Sequence, residues 1–400
     1  MLTKTKRNKP LFDKFAAITE RHEMAKLLGR SPIGIPFEKI LSPTRALFEG
    51  REYVLAGTNN YLGLTFNENV KRSMIEAVET LGSATTGSRQ ANGTYGDHAK
   101  LEQDLKAFFE MQSAIVFTTG YQTNLGAISA LAGKDDHILI DADSHACIYD
   151  ACRLTDASTH RFRHNDPENL NKRLQRLPER GGRLVVVEGM YSMFGDIAPL
   201  AEIVEVAHAN DAMVFVDEAH SVGCFGEKGR GIAEAQGVLE DVDFISGTFS
   251  KSLASIGGFC VSKHPEFEGI RLASRAYMFT ASGAPANIAA ASAALGELKN
   301  NPGLRDSLLA MSNRLHSGLT DLGFDICAPT SPVIAVKRPD EATAVSEWNQ
   351  LFEQGVYVNL AVPPATPGGV SLLRLSVSAA HTPEEIDQVI EAFSNLKPLT

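Results

Sequence analysis

MVFVDEAHSVGCFG at residues 213–226, followed by FISGTFSKSLASIGGF at 244–259, is the part of the sequence that decides the fold. Each stretch opens on an apolar run and closes on polar residues, the pattern of a strand buried on both faces. Asp217 ends the first run, and Lys251 lies just beyond the second among Thr248, Ser250 and several glycines. A lysine that must shed its proton to act as a nucleophile is helped by such partial burial. Small neighbours let the backbone approach a phosphate, and Thr248 and Ser250 can donate hydrogen bonds to it. Singly, an aspartate at a strand end is an ordinary cap and a lysine after a strand an ordinary solvated side chain. Together, at this spacing, they point to a site.

Outward from these stretches the same alternation continues. Further strands are expected at SAIVFTTG (113–120), HILIDADS (137–144) and LVVVEGMYS (184–192), with helical segments NLGAISALA, DPENLNKRLQRL and LAEIVEVAHAN among them. Apolar strands alternating with amphipathic helices indicate an α/β fold with a mostly parallel sheet covered on both faces. Several strands end in polar residues, where such sheets place their ligands. After the helix-rich FTASGAPANIAAASAALGEL the pattern changes, and PVIAVK, GVYVNL and VSLLRLSVS read as strands of a smaller α+β domain. The expected organisation is a helical arm over 1–45, a large domain over 46–290 and a small domain over 291–400.

Composition narrows the function. The chain has 400 residues and a net charge of −10, which argues against a nucleic-acid surface. Its five cysteines lack CxxC spacing, so neither a disulfide framework nor a zinc site is expected, and the thiols read as those of a cytoplasmic protein. HExxH-type metal spacing is absent. The N-terminal MLTKTKRNKPLFDKF is basic without an apolar segment after it, and no stretch is apolar enough for a membrane span.

A buried aspartate can keep a pyridine nitrogen protonated and make its ring an electron sink. With that chemistry in view, the chain resembles the fold-type I pyridoxal-phosphate enzymes, and more narrowly the α-oxoamine synthase family. The motifs run over nearly the whole length: TNNYLGL (58–64), TTGSRQANGTYGDHAKLE (85–102), TTGYQTNLG (118–126), DADSHACIYD (141–150), EGMYSMFGDIAPL (188–200), DEAHSVGCFG, GTFSKS, FTAS (279–282) and PPATP (363–367). Within that family, DADSHACIYD, RFRHND, GTFSKS and PPATP are most similar to the soluble bacterial serine palmitoyltransferase branch.

The resemblance implies roles. Lys251 holds pyridoxal 5'-phosphate, Asp217 pairs with its pyridine nitrogen, and His145 stacks on its ring. Gly120 and Tyr121 open a helix whose N–H groups cradle the phosphate, with Thr248 and Ser250 beside them. Ser192 and His220 lie near the phenolic oxygen or the bound amino acid, and Thr280 reaches the phosphate of the other subunit in a homodimer with a shared site. Arg374 takes the substrate carboxylate, a role suited to its planar fork, and Asn60 and Arg89 line the mouth of the site. His98 reads equally as a structural histidine, and Cys147 and Cys224 as small packing residues.

The implied reaction joins an amino acid, L-serine in this branch, to a long-chain acyl thioester of CoA or a carrier protein. It releases CO2 and the thiol and leaves an α-amino ketone. Relatives using glycine or alanine are the alternative, and a non-catalytic partner subunit is disfavoured by the presence of Lys251. Two places depart from the branch: Val362 stands where an arginine is expected before the two prolines, and RAYMFTASGAP has Ala276 and Gly283 in place of a Pro-containing version, which puts the exact substrates in question.

Overall fold

Three sheets organise the chain in a computed structural model that describes residues 10–27 and 29–397; the basic stretch 1–9 lies outside them. In chain order the strands are β1 (Lys39–Ser42), β2 (Arg45–Phe48), β3 (Arg51–Leu55), β4 (Ser113–Phe117), β5 (His137–Asp141), β6 (Ser158–Phe162) and β7 (Arg183–Glu188). They continue with β8 (Met213–Asp217), β9 (Phe244–Thr248), β10 (Gly258–Ser262), β11 (Val333–Arg338), β12 (Val356–Tyr357), β13 (Asn359–Ala361) and β14 (Ser371–Ser376). No helix among the described residues is long and apolar enough to cross a membrane.

The central sheet has the order β4-β10-β9-β8-β7-β5-β6, and every strand in it runs parallel except β10. Successive residues divide between its two faces. Val185, Val187, Val214 and Val216 join one apolar cluster, while Leu184, Val186 and Phe215 join the other. Strands sandwiched in this way must be apolar on both sides, which is why the sequence shows runs rather than alternation. The first face is covered by helices Gly96–Phe109, Leu200–His208 and Pro285–Asn300, the second by Gly120–Leu131 and Ala146–Arg153. Parallel direction brings the carboxyl ends Asp141, Glu188, Asp217 and Thr248 to one edge, and the chemistry collects there.

The other sheets are β11-β14-β13, all antiparallel, and β1-β2-β3-β12. GVYVNL, expected as one strand, divides between them: β12 pairs with β3 and β13 with β14. The break falls at Val358, whose carbonyl accepts from Trp348 Nε1 at 2.8 Å and so leaves both ladders. The last sheet joins residues 39–55 to 356–357, and the expected arm boundary after residue 45 falls within β2, which pairs with β1. Before it, the described part of the arm carries helices Pro10–Asp13 and Ala16–Leu27.

Candidate active site

Glu188, Asp217 and Ser246 stand in register across β7, β8 and β9. Together with the first turn of helix Gly120–Leu131 they border a cleft of about 290 Å³. Asn124, one turn into that helix, donates to Asp217 Oδ2 at 2.6 Å and accepts from Ser246 Oγ at 2.7 Å. The Ala219 N–H donates to Asp217 Oδ1 at 2.9 Å, so both carboxylate oxygens are held in place. Lys251 lines the same cleft from the connection between β9 and β10, and its ammonium has no hydrogen bond or ion pair among the described residues.

The helix start is built for close approach. Thr119 caps it, its Oγ1 accepting from Gln122 N at 3.1 Å, and the first-turn N–H groups have no intrahelical acceptor. A Cβ added to Gly120 would lie 2.7 Å from Thr248 Cβ, and one on Gly258 would lie 2.7 Å from Gly120 Cα. Only glycine allows three backbone segments to meet so tightly here. Thr248 Oγ1 and Ser250 Oγ sit 2.8 Å apart on the far side of the cradle.

His145 is the N-cap of helix Ala146–Arg153. Its backbone N–H donates to Glu188 Oε1 at 2.5 Å, and its Nδ1 accepts from Cys147 N at 3.2 Å. Burial pushes the Lys251 ammonium down to about 8, although Asp217 and Glu188 pull the other way. Burial also holds Glu188 well above the carboxylate range, reinforced by the charge of Asp217. Both His145 and His220 are held below the usual imidazole value, in each case first by burial, so each is neutral near pH 7.

Beside the cleft, Arg374 occupies β14, the middle strand of its sheet, and is buried. Its Nε donates to the Ser192 carbonyl at 2.6 Å, its Nη1 to Ser376 Oγ at 3.0 Å, and Asn59 Oδ1 lies 3.4 Å from both Nη atoms. All these acceptors are neutral, and no carboxylate pairs with this cation among the described residues. Ser192 belongs to the 190–197 loop, which His164 anchors: its Nδ1 meets Asp141 at 2.8 Å and its Nε2 meets Asp196 at 2.7 Å. Burial alone would lower the His164 value, but hydrogen bonds to the two aspartates raise it to about 10. Val362 directly follows β13 and is half-buried, its carbonyl accepting from Ala365 N at 3.0 Å.

Eight of the expected residues line this one cleft: Gly120, Tyr121, His145, Asp217, His220, Thr248, Ser250 and Lys251. Ser192 and Arg374 meet each other beside it. Thr280 stands away from the cleft of its own chain, its Oγ1 near Gln122 Nε2 at 3.3 Å. Asn60 donates to Thr65 Oγ1 at 2.8 Å, and its buried Oδ1 has no partner among the described residues. Arg89 does not line the cleft of its own chain. Its guanidinium is buried against Glu102 at 3.0 Å, because helix Gly96–Phe109 turns that carboxylate inward and a buried anion needs a cation. His98 is fully buried, its Nε2 3.0 Å from the Gly283 carbonyl, as a structural histidine.

Sequence reasoning passed over Asn124, Glu188 and Tyr61. Asn124 lies four residues after Gly120 on one helix face, and Glu188 ends its strand as Asp217 ends the next, so both carried a signal. Tyr61 carried none.

The family described as aminotransferase class I and II matches residues 51–393, and the chain belongs to it. Its fold is that of the fold-type I pyridoxal-phosphate enzymes. Within that class the similarity is to serine palmitoyltransferases. The chain is 51% identical over 387 residues to the serine palmitoyltransferase of Caulobacter vibrioides, covering 96% of each. The solved serine palmitoyltransferase of Sphingomonas wittichii superposes with a TM-score of 0.94 at 51% identity, over 96% of this chain and 97% of that one. A high-resolution structure of SPT with PLP gives a TM-score of 0.94 at 48% identity, over 96% and 97%.

Proposed function

We propose that the chain is a pyridoxal-phosphate-dependent C-acyltransferase that condenses L-serine with a long-chain acyl thioester, working as a cytoplasmic homodimer in sphingolipid biosynthesis. What carries the reading is Lys251, lowered by burial to about 8, in one cleft with an anchored Asp217, and an Arg374 without a counter-ion beside it.

The residues fit the cofactor. The first turn of helix Gly120–Leu131, with Thr248 and Ser250, would hold its phosphate, where a side chain at Gly120 would fill the cradle. Asp217 would pair with the pyridine nitrogen, His145 would cover one ring face, and Lys251 would form the covalent attachment. Ser192 and His220 would stand near the phenolic oxygen or the amino acid, and Thr280 would reach the phosphate across the dimer interface. When bound, pyridoxal phosphate supplies an electron sink for the carbanion at the amino-acid Cα.

The chain's own residues supply the rest. Arg374 binds the substrate carboxylate with its fork, and Asn59, Ser376 and the Ser192 carbonyl fix the direction of that fork. Lys251, lowered to about 8, is partly neutral near pH 7 and takes the Cα proton. The Cα–acyl carbon bond then forms as the C–S bond breaks and the thiol leaves. Loss of the carboxylate as CO2 follows, and Lys251 returns a proton to Cα, leaving a 3-keto sphingoid base. Asn60 lies close in sequence to Asn59 and would line the mouth, whereas Arg89 is committed to Glu102.

The test is spectroscopic and chemical. Purified protein supplied with pyridoxal phosphate is titrated with serine, alanine and glycine while its visible absorption is followed. CO2 release is then measured with long-chain thioesters of CoA and of acyl carrier protein. Serine is expected to saturate at the lowest concentration and to release CO2 only with a thioester. Tighter saturation by glycine or alanine would reassign the amino acid, and no CO2 from any pair would defeat the proposal.

A further inference from the structure

Tyr61 lies between β3 and helix Glu68–Leu81, and it is fully buried. Its hydroxyl is 2.8 Å from His220 Nδ1, with the two rings meeting edge-on. The same hydroxyl is 3.3 Å from Asn59 Oδ1. That amide oxygen already faces three other donors, Arg374 Nη1, Arg374 Nη2 and Ser376 Oγ, each at 3.4 Å. A phenol has a single hydrogen; Asn59 Oδ1 is the more distant and the already engaged acceptor, which leaves the 2.8 Å contact to His220 Nδ1 as the better place for it.

The protonation states leave this arrangement available. Burial pushes the Tyr61 hydroxyl above its ordinary range, so it keeps its proton. Burial, and then the charges of Lys251 and Arg374, hold His220 neutral. A neutral imidazole that accepts at Nδ1 carries its hydrogen on Nε2. His220 lines the cleft, and its Nε2 has no partner among the described residues.

We propose that Tyr61 is a positioning residue that locks His220 as the Nε2–H tautomer, so that this wall of the cleft presents a hydrogen-bond donor and not an acceptor. The tautomer rests on the chain's own contacts; that the donor serves the phenolic oxygen of the cofactor or an oxygen of the bound amino acid rests on the proposed function. The sequence of contacts also joins the two walls, since Asn59 touches both Tyr61 and Arg374.

The experiment observes the histidine rings by NMR in the full chain as purified, labelled with a heavy nitrogen isotope. The His220 signal is identified by its loss in His220→Gln. The wild-type protein is expected to show a protonated Nε2 and a bare Nδ1 near neutral pH. A proton on Nδ1 would overturn the proposal without any variant being needed. Tyr61→Phe, checked for an unchanged melting temperature within a few degrees, is expected to give a mixture of tautomers. With pyridoxal phosphate added, the same variant is expected to lose about tenfold in kcat, with KM for the amino acid nearly unchanged. A Tyr61→Phe protein with His220 still wholly Nε2–H would also overturn it. Failure of the cofactor reading has a separate signature, a wild-type protein that gains no visible band with pyridoxal phosphate.

Discussion

The two walls of the site, the cleft and the arginine side next to it, are built on opposite rules. On the wall formed by β7, β8 and β9, the polar groups are satisfied from within the chain: Asp217 by Asn124 and Ala219, Asn124 by Ser246, Glu188 by His145. On the wall formed by β14, Arg374 is held by neutral oxygens and has no counter-ion among the described residues. A buried cation without an anion is costly, so on the proposed function the second wall is completed by the substrate carboxylate. The first wall is organised before any ligand arrives. The difference teaches which side is selective: one wall is suited to a permanent cofactor, the other to a substrate that comes and goes.

The comparison breaks hardest at Asp217. Asp217→Asn keeps the shape and loses the charge, and kcat is expected to fall roughly a thousandfold while the fold persists. Steady-state kinetics and a melting curve check this; a loss below tenfold would mean that the first wall is not organised around that carboxylate. Arg374→Lys keeps the charge and loses the fork. Half-saturation for serine is expected to rise roughly ten- to a hundredfold, with cofactor binding unchanged, when followed by visible absorption. A variant that loses the cofactor but still binds serine would reverse the assignment of the two walls.

The smallest effect concerns the loop behind Arg374. The His164 value of about 10 in the fold lies above its ordinary value of about 6.5, so its contribution to stability is full below the ordinary value and fades as pH rises through 10. His164→Gln is expected to lower the melting temperature by about 2 °C near neutral pH, with the gap closing in strongly alkaline buffer. A gap independent of pH would show that shape, and not charge, anchors the loop.

Much of the first wall was legible because strand ends carry their own punctuation. Asp217, Lys251 and His145 each follow an apolar run, and a parallel sheet sends all such ends to one edge. The second wall was read through motif resemblance, since nothing local in LLRLS says that its arginine lacks an anion. The burial of Arg89 was not legible, because its partner Glu102 looks, in sequence, like any exposed carboxylate of a charged helix. Tyr61 meets His220 across 159 residues, and neither flank shows which ring nitrogen is free. Hydrogen-bond direction is a property of the assembled interior, and patterning does not encode it locally.

The reversed strand β10 has a further consequence for how the protein comes into being. It lies between β4 and β9, so residues 113–117 reach their place in the sheet only through residues 258–262. The start of helix Gly120–Leu131 brings Gly120 from one side of that gap against Thr248 from the other. During synthesis, β5 to β9 can associate in turn as they leave the ribosome, but β4 has no neighbour in the sheet until residue 262 has emerged. The approach of Gly120 to Thr248 is therefore a late event in the life of the nascent chain.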